Sequence, residues 1–433
     1  LTIKAPEITM AAGGGGGGEQ AMTDAGVQRK LASECTRRAA SLQQYPVDLL
    51  RELIAIPSTS GAEGPVADRV LAECVALGIP AAREPSGTIL GTLGSGSLNV
   101  VYDAHMDTVG PGEPPSWPHG PYSGKVAGGK IWGRGACDNK GALAAMLCGL
   151  RIARELGLGD DFTLTLAGVV EEELCEGWAI GESIRNGSLT PDLVVLGECT
   201  GLQLARGHRG RCEVEISTRG VSCHGSSPWR GRNAVYDMAR WSLRIADLAG
   251  SLPRSEFLGP ASVAVTRIAA AAGSPNVIPD RCTALVDRRT VPGESAPVVI
   301  AGLLGAAPEG CGAEAALAAY GLPSYTGLAK SVPKDYPAWE LPPGHRWLRA
   351  AQDAVCLVTG RAPMVGSWEF STDGVVTCGT MRIPTIGFGP GEEQWAHTVY
   401  DQVPVEHLQV SAAVYALLPQ VAAWSDAWSQ ACR

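Results

Sequence analysis

LNVVYDAHMD, residues 98–107, starts as a short apolar run rich in β-branched and aromatic residues and ends in a polar His105-x-Asp107 step. Such a run predicts a buried strand whose end carries polar groups. Three further stretches share this form: residues 162–170 (FTLTLAGVV), 193–196 (LVVL) and 383–388 (IPTIGF). Residues 141–156 are rich in Ala and Leu and predict a helix between the first two strands. This alternation predicts an α/β domain, a mostly parallel sheet flanked by helices. The pattern changes near Arg206. Residues 212–218 alternate like a half-exposed strand, 233–248 form an amphipathic helical pattern, 283–286 a strand and 296–306 a second helix. From about Tyr336 the first pattern resumes. The predicted organisation is a flexible tail over residues 1–22, a main domain over 23–206 and 326–433, and an inserted α+β domain over 207–325. The tail contains six consecutive glycines, residues 13–18, which have nothing to bury.

Composition narrows the function classes. With 45% hydrophobic and 18% charged residues among 433, the chain can build a sizeable core. Lys+Arg 35 against Asp+Glu 44 gives a net charge of −9 with no basic run, which argues against nucleic-acid partners. The longest apolar-rich stretch, residues 408–425, is interrupted by Gln409, Ser411, Pro419 and Gln420. It falls short of the roughly 18–20 apolar residues of a membrane span and predicts a surface helix and its exit. No secretory signal pattern is expected at the N-terminus. Thirteen cysteines, an odd number without a C-x-x-C pair, favour a reducing, cytoplasmic setting over a disulfide framework or a zinc ribbon.

The chemistry collects at the predicted strand ends, where open parallel sheets bind ligands. Residues i and i+2 of an extended chain share a side, so Asp107 can lie beside His105 and orient it, although H-x-D alone reads first as a surface pair. The segment GRGACDNKG, residues 133–141, lacks the spacing of a phosphate loop, and Asp138 would repel phosphate. Asp138 is then either a metal ligand or a helix cap. Strand 162–170 ends in Glu171-Glu172-Glu173, a solvated turn or a metal ligand next to a general base. Glu198 follows the next strand, and His397 comes after a Gly-rich stretch. Two histidines with three or four carboxylates suit Zn, Co or Mn. Five ligands are too many for one tetrahedral zinc, but they fit two ions sharing a carboxylate.

The run of H-x-D, GRGACDNKG, EEE, GE and a late AH, in this order, resembles the metallopeptidase family of acetylornithine deacetylase, succinyl-diaminopimelate desuccinylase, aminoacylase and carboxypeptidase G. The resemblance spans residues 45–419. Residues 206–216 (RGHRGRCEVEI), 220–228 (GVSCHGSSP), 275–282 (PNVIPDRC), and STDG through GFGPG within 371–391 are similar to its selenium-metabolism-linked hydrolase branch. The resemblance implies a zinc-dependent exopeptidase-like fold whose insert is a lid and dimerisation domain, and hence a homodimer. It also implies two divalent metal ions, zinc first, with Co or Mn as alternatives. His105, Asp138 and Glu198 would hold one ion, and Asp138, Glu173 and His397 the other, Asp138 bridging. Asp107 would orient His105. Glu172 would be the general base that deprotonates water and later protonates the leaving amine; the triple Glu leaves Glu171/Glu172 as the alternative pair. His224 would reach across the dimer to polarise the scissile carbonyl. Asn276 and Arg289 match substrate-binding positions, although Arg289 could instead pair with Asp287. His208, in the branch's GHRG motif, receives no role. Where relatives usually carry Asn-Glu after the late histidine, this chain has Tyr400-Asp401, which puts the usual substrate geometry in doubt. Trp117, Trp178, Trp229 and Trp368 are among the tryptophans near these motifs, as packing or as a substrate pocket. The implied activity is hydrolysis of a C–N amide bond in a small carboxylate-bearing molecule: an N-acyl amino acid, a dipeptide or a related amide. An N-carbamoyl or ureido bond, an amide-forming enzyme and a non-catalytic metal-binding protein are the alternatives.

Overall fold

The computed structural model describes residues 17–431, with side chains over 26–425. Of the expected tail, residues 1–16 lie outside the described residues, whereas 17–22 fall in the first turns of the helix Gly17–Ser41. Farther along that helix, Ala32, Cys35 and Ala39 are buried against the main core, so the helix belongs to the domain.

The central sheet runs, edge to edge, Ala81–Arg83, Ile89–Gly94, Phe162–Val169, Leu98–His105, Leu193–Leu196, Thr385–Gly387, Leu204–His208 and Trp339–Glu340. Val365–Trp368 pairs in parallel with Leu204–His208 beside this path. The four middle strands, the apolar runs of the sequence, are mutually parallel. Toward both margins the pairing turns antiparallel, so the sheet as a whole is mixed. The reason at one margin is loop length: Ala81–Arg83 and Ile89–Gly94 are joined too closely for a parallel crossover.

Helix Lys140–Glu155 is buried along almost its whole length. Val405–Ala431 packs against it and also against Gly17–Ser41 and Arg346–Thr359. Residues 408–425 are therefore not the surface helix that their polar interruptions predicted: Leu408, Ala412, Tyr415, Ala416, Ser411 and Gln420 are all buried. Surrounded by other helices, this one can be apolar on all sides. The two central helices meet closely at Gly149, where an added Cβ would stand 2.7 Å from the Tyr415 Cβ.

The insert has its own antiparallel sheet, ordered Ser262–Ala270, Arg281–Thr290, Gly210–Arg219, Glu314–Leu317. Helices Ala234–Leu248 and Ala296–Gly305 join it in a separate core that includes Val214, Ile216, Trp241, Val286 and Leu303. That core involves residues between Cys212 and Leu317. On the returning chain Tyr320, Tyr325 and Val332 pack on the main core, and Asp335–Tyr336 pairs once more with the insert strand Gly210–Arg219.

The two crossings between the domains meet at His208. Its strand pairs with Trp339–Glu340, opposing His208 and Trp339. His208 Nε2 receives Trp339 Nε1–H at 2.8 Å and the Thr372 backbone N–H at 3.1 Å. Nε2 is thus an acceptor, and the ring proton sits on Nδ1, 2.8 Å from the Arg209 carbonyl. Burial holds this imidazole neutral, pushing its pKa from 6.5 down to about 4. Below pH 6.5 the unfolded chain takes up a proton that the folded chain refuses, so stability falls as the pH drops toward 4, by about 3 kcal/mol in all. His208→Leu leaves two buried N–H groups without an acceptor and should cost about 2–4 kcal/mol at pH 7. The gap to wild type should narrow by about 2–3 kcal/mol at pH 4.5. Urea unfolding at the two pH values checks this, and an equal gap at both would contradict a neutral His208.

Candidate metal centre

Strand Leu98–His105 ends with His105 Nδ1 2.8 Å from the Asp107 carbonyl oxygen, which turns Nε2 toward a group of acids. His105 Nε2 lies 2.8 Å from Asp138 Oδ1, 3.6 Å from Glu198 Oε1 and 4.0 Å from Glu172 Oε2. The other Asp138 oxygen is 3.1 Å from His397 Nε2, which is itself 2.9 Å from Glu173 Oε2. Asp138 therefore gives one carboxylate oxygen to each imidazole. His105, Asp138 and Glu173 present donor atoms within 4.8 Å of one another, as do His105, Glu172 and Glu198.

Several side chains aim this group. The Asp107 carboxylate stands 3.6 Å from His105 Nδ1, so the hydrogen bond that orients the ring comes from the Asp107 backbone. The carboxylate instead accepts the Glu172 N–H at 3.1 Å, the Glu173 N–H at 3.2 Å and the Ser60 hydroxyl at 2.7 Å. Of the three consecutive glutamates, Glu172 and Glu173 turn into the cluster, whereas Glu171 pairs with Lys330. Asn139, joined to Asp138 by a cis peptide, donates to Glu198 Oε1 at 3.2 Å. Asn139, not Asp138, occupies the cap position of helix Lys140–Glu155.

The electrostatics are those of an acid-rich, largely buried site. Burial raises Glu198 to about 8 and holds Glu172 well above the usual carboxylate range. Burial would raise Asp138 too, but the two imidazoles outweigh it and hold Asp138 low. Asp138 and then Glu173 raise His397 to about 10. Burial opposes the charge on His105, yet Asp138, Glu198 and Glu172 together push its pKa up. Four carboxylates facing two imidazoles repel one another in their charged forms. Their hard oxygen donors and imidazole nitrogens fit divalent cations, which would relieve that repulsion.

Asp401 does not face these donors. It braces the Gly-rich loop around Asp138, accepting the Gly135 and Cys137 N–H groups, each at 2.8 Å, and Arg134 Nη1 at 3.1 Å. Tyr400 is half exposed, with its ring T-shaped against that of Trp395. Trp117, Trp178 and Trp368 are buried, and Trp229 is exposed. The three residues of the insert make their side-chain hydrogen bonds within the insert. His224 is exposed, and its Nδ1 accepts the Ser226 N–H at 3.0 Å. Its loop is tied to that of Asn276 by Gly225 N–H to the Asn276 carbonyl at 2.6 Å. Arg289 forms a two-pronged pair with Asp287, at 2.8 and 3.3 Å. Among the described residues, none of the three hydrogen-bonds to the cluster. Lys330, buried beside the glutamate turn, escaped sequence reasoning because nothing near it in the chain carries chemistry.

Residues 101–420 match Peptidase family M20/M25/M40. The chain belongs to this family. The M20 chain is 36% identical over 382 residues to protein YgeY of Escherichia coli (strain K12), covering 87% of this chain and 95% of that protein. Over 249 residues it is 30% identical to a succinyl-diaminopimelate desuccinylase of Sphingopyxis alaskensis, covering 54% of this chain and 65% of that protein. An M20 family metallo-carboxypeptidase of Sulfolobus solfataricus shares the fold with a TM-score of 0.70 at 17% identity, over 88% of this chain and 99% of the other. This M20 protein is a metal-dependent hydrolase. Among the described residues no helix is long and apolar enough to cross a membrane.

Proposed function

We propose that this M20 protein is a two-metal amidohydrolase that cleaves a C–N amide bond in a small carboxylate-bearing substrate such as an N-acyl amino acid or a dipeptide. The observation that carries the proposal is the Asp138 carboxylate, with one oxygen on His105 and the other on His397. His105, Asp138 and Glu198 would hold one ion and Asp138, Glu173 and His397 the second, zinc being preferred over cobalt or manganese. Divalent ions bound there make water more acidic and polarise a carbonyl. Glu172, buried beside His105, takes the proton from the attacking water and delivers it to the leaving amine. His224 donates to the carbonyl oxygen once a lid reaches the cluster. Asn276 contributes to substrate binding from the neighbouring loop. Arg289 exchanges Asp287 for the substrate carboxylate, which suits its two-pronged geometry.

The same proposal includes a homodimer through the insert. Ser262–Ala270 ends its sheet with one edge unpaired among the described residues, and Ile268 on it is 52% exposed. Such an edge favours pairing with a second copy. A cytoplasmic setting fits the twelve described cysteines, all free.

The test is a panel of N-acyl amino acids, dipeptides and N-carbamoyl amino acids given to the metal-loaded protein, with released amine measured. Turnover of an N-acyl amino acid or dipeptide, abolished by chelation and restored by Zn, Co or Mn, is expected. Turnover of carbamoyl substrates alone would move the assignment to ureido hydrolysis, and no turnover by fully loaded protein would reject it. His224→Ala should slow kcat by about 10²–10³, which is about 2.7–4 kcal/mol, with metal content unchanged. An unchanged rate would remove His224 from the reaction.

A further inference from the structure

The turn that presents Glu172 is held from three directions. Asp107 accepts the Glu172 and Glu173 N–H groups from the strand-end side. Glu63, immediately before helix Gly64–Ala76, accepts the Glu171 N–H at 3.0 Å. The third hold comes from Lys330, 159 residues along the chain from Glu171, on the segment that returns from the insert. Its ammonium pairs with Glu171 Oε2 and stands 3.7 Å from the centroid of the Trp178 ring and 5.2 Å from that of Tyr320. The Lys330 and Glu171 side chains are 4% and 0% exposed, so each would be an uncompensated buried charge without the other. Glu171 has φ +58°, a conformation that costs a non-glycine residue energy and needs surrounding contacts to persist.

The position of Lys330 gives this pair a further consequence. The insert's core reaches Leu317. The chain then lies along the main domain, where the Tyr325 hydroxyl donates to the Gly87 carbonyl at 2.8 Å and Thr326 Oγ1 to the Pro85 carbonyl at 2.7 Å. It next forms the Lys330 pair, sets Asp335–Tyr336 against the insert strand Gly210–Arg219, and rejoins the main sheet at Trp339–Glu340. The same strap thus touches both the insert and the residue that precedes Glu172.

We propose that Lys330 is a positioning residue: through Glu171 it holds the turn that aims Glu172 at the metal cluster, and it links that aim to the seating of the strap that carries the lid. The proposal rests on Glu172 being the general base. The strap, when seated, fixes Glu171 in its left-handed conformation and leaves the Glu172 carboxylate beside His105. A strap pulled away with the lid would release Lys330 and loosen the base.

The test uses the full-length, metal-loaded protein with Lys330→Met and the double variant Lys330→Met/Glu171→Gln. The double variant removes the stranded charge and guards against simple misfolding. Both should bind two metal equivalents. Both should lose about 10–100-fold in kcat with KM within about threefold, and both should show faster amide hydrogen exchange in the peptide covering residues 170–176 than wild type. A double variant with kcat and exchange restored to wild type would show that the pair only neutralises buried charge and would overturn the proposal. Exchange and kcat unchanged in both variants would overturn it too. The exchange readout does not require a substrate, so a wild type without amidase turnover would reject the assigned reaction while exchange still decides the role of Lys330.

Discussion

Glu172→Gln is expected to keep both metal equivalents and the wild-type fold while losing about two to four orders of magnitude in kcat. The substitution is nearly isosteric, so it preserves the turn, whose N–H groups remain on Asp107. It removes the only property the proposed step needs from this residue, a carboxylate that can accept and return a proton. Glu172 lies 4.0 Å from His105 Nε2, farther than Asp138 or Glu198, and so stands beside the donor set at the distance where a water can intervene. Burial raises its pKa, which strengthens it as a proton acceptor relative to an exposed glutamate. Steady-state kinetics with metal analysis of the same sample checks the expectation. Retained turnover would mean that another group moves the proton. Glu171 is badly placed to substitute, because its carboxylate is paired with Lys330.

Asp138→Ala should have the opposite signature: loss of the metals first and of activity as a consequence. Among the described residues Asp138 is the one carboxylate in contact with both imidazoles, so its removal separates the cluster into His105 with Glu198 on one side and His397 with Glu173 on the other. Each half then lacks the shared donor. Metal content is expected to fall from two equivalents to one or fewer after dialysis, with turnover below about one thousandth of wild type. An independent readout is available without metal. The Asp138 hydrogen bond is the largest contribution raising His397 to about 10, so the His397 titration followed by NMR should move down toward 6.5 in metal-free Asp138→Ala. A raised folded pKa stabilises most below pH 6.5 and loses that contribution as the pH climbs through 10. The variant's stability deficit from this pair should therefore shrink with rising pH. Two tightly held equivalents in Asp138→Ala would exclude a bridging role.

Much of this protein is local in origin and so legible along the chain. Apolar runs with β-branched residues encode the four middle strands, and the acids and histidines follow them because a strand end is where side chains leave the core. The switch of pattern near Arg206 marks the insert for the same reason: a half-exposed antiparallel sheet alternates in polarity, while a buried parallel one does not. The types and order of the residues that converge at the cluster were thus contained in the amino-acid sequence. The sequence could not determine partnerships between side chains far apart in the chain. Nothing local distinguishes Glu171 from Glu172 and Glu173; the difference arises because Lys330 folds back onto the first. Asp107 sits two residues from His105, yet its carboxylate turns to the Glu172 and Glu173 amides. Asp401, four residues past His397, grips the loop of Asp138 instead of the cluster. The polar breaks in residues 408–425 read as exposure, but neighbouring helices enclose that segment. In each case the deciding term is the desolvation of a charge or polar group, and its size depends on which distant atoms packing brings within hydrogen-bond reach.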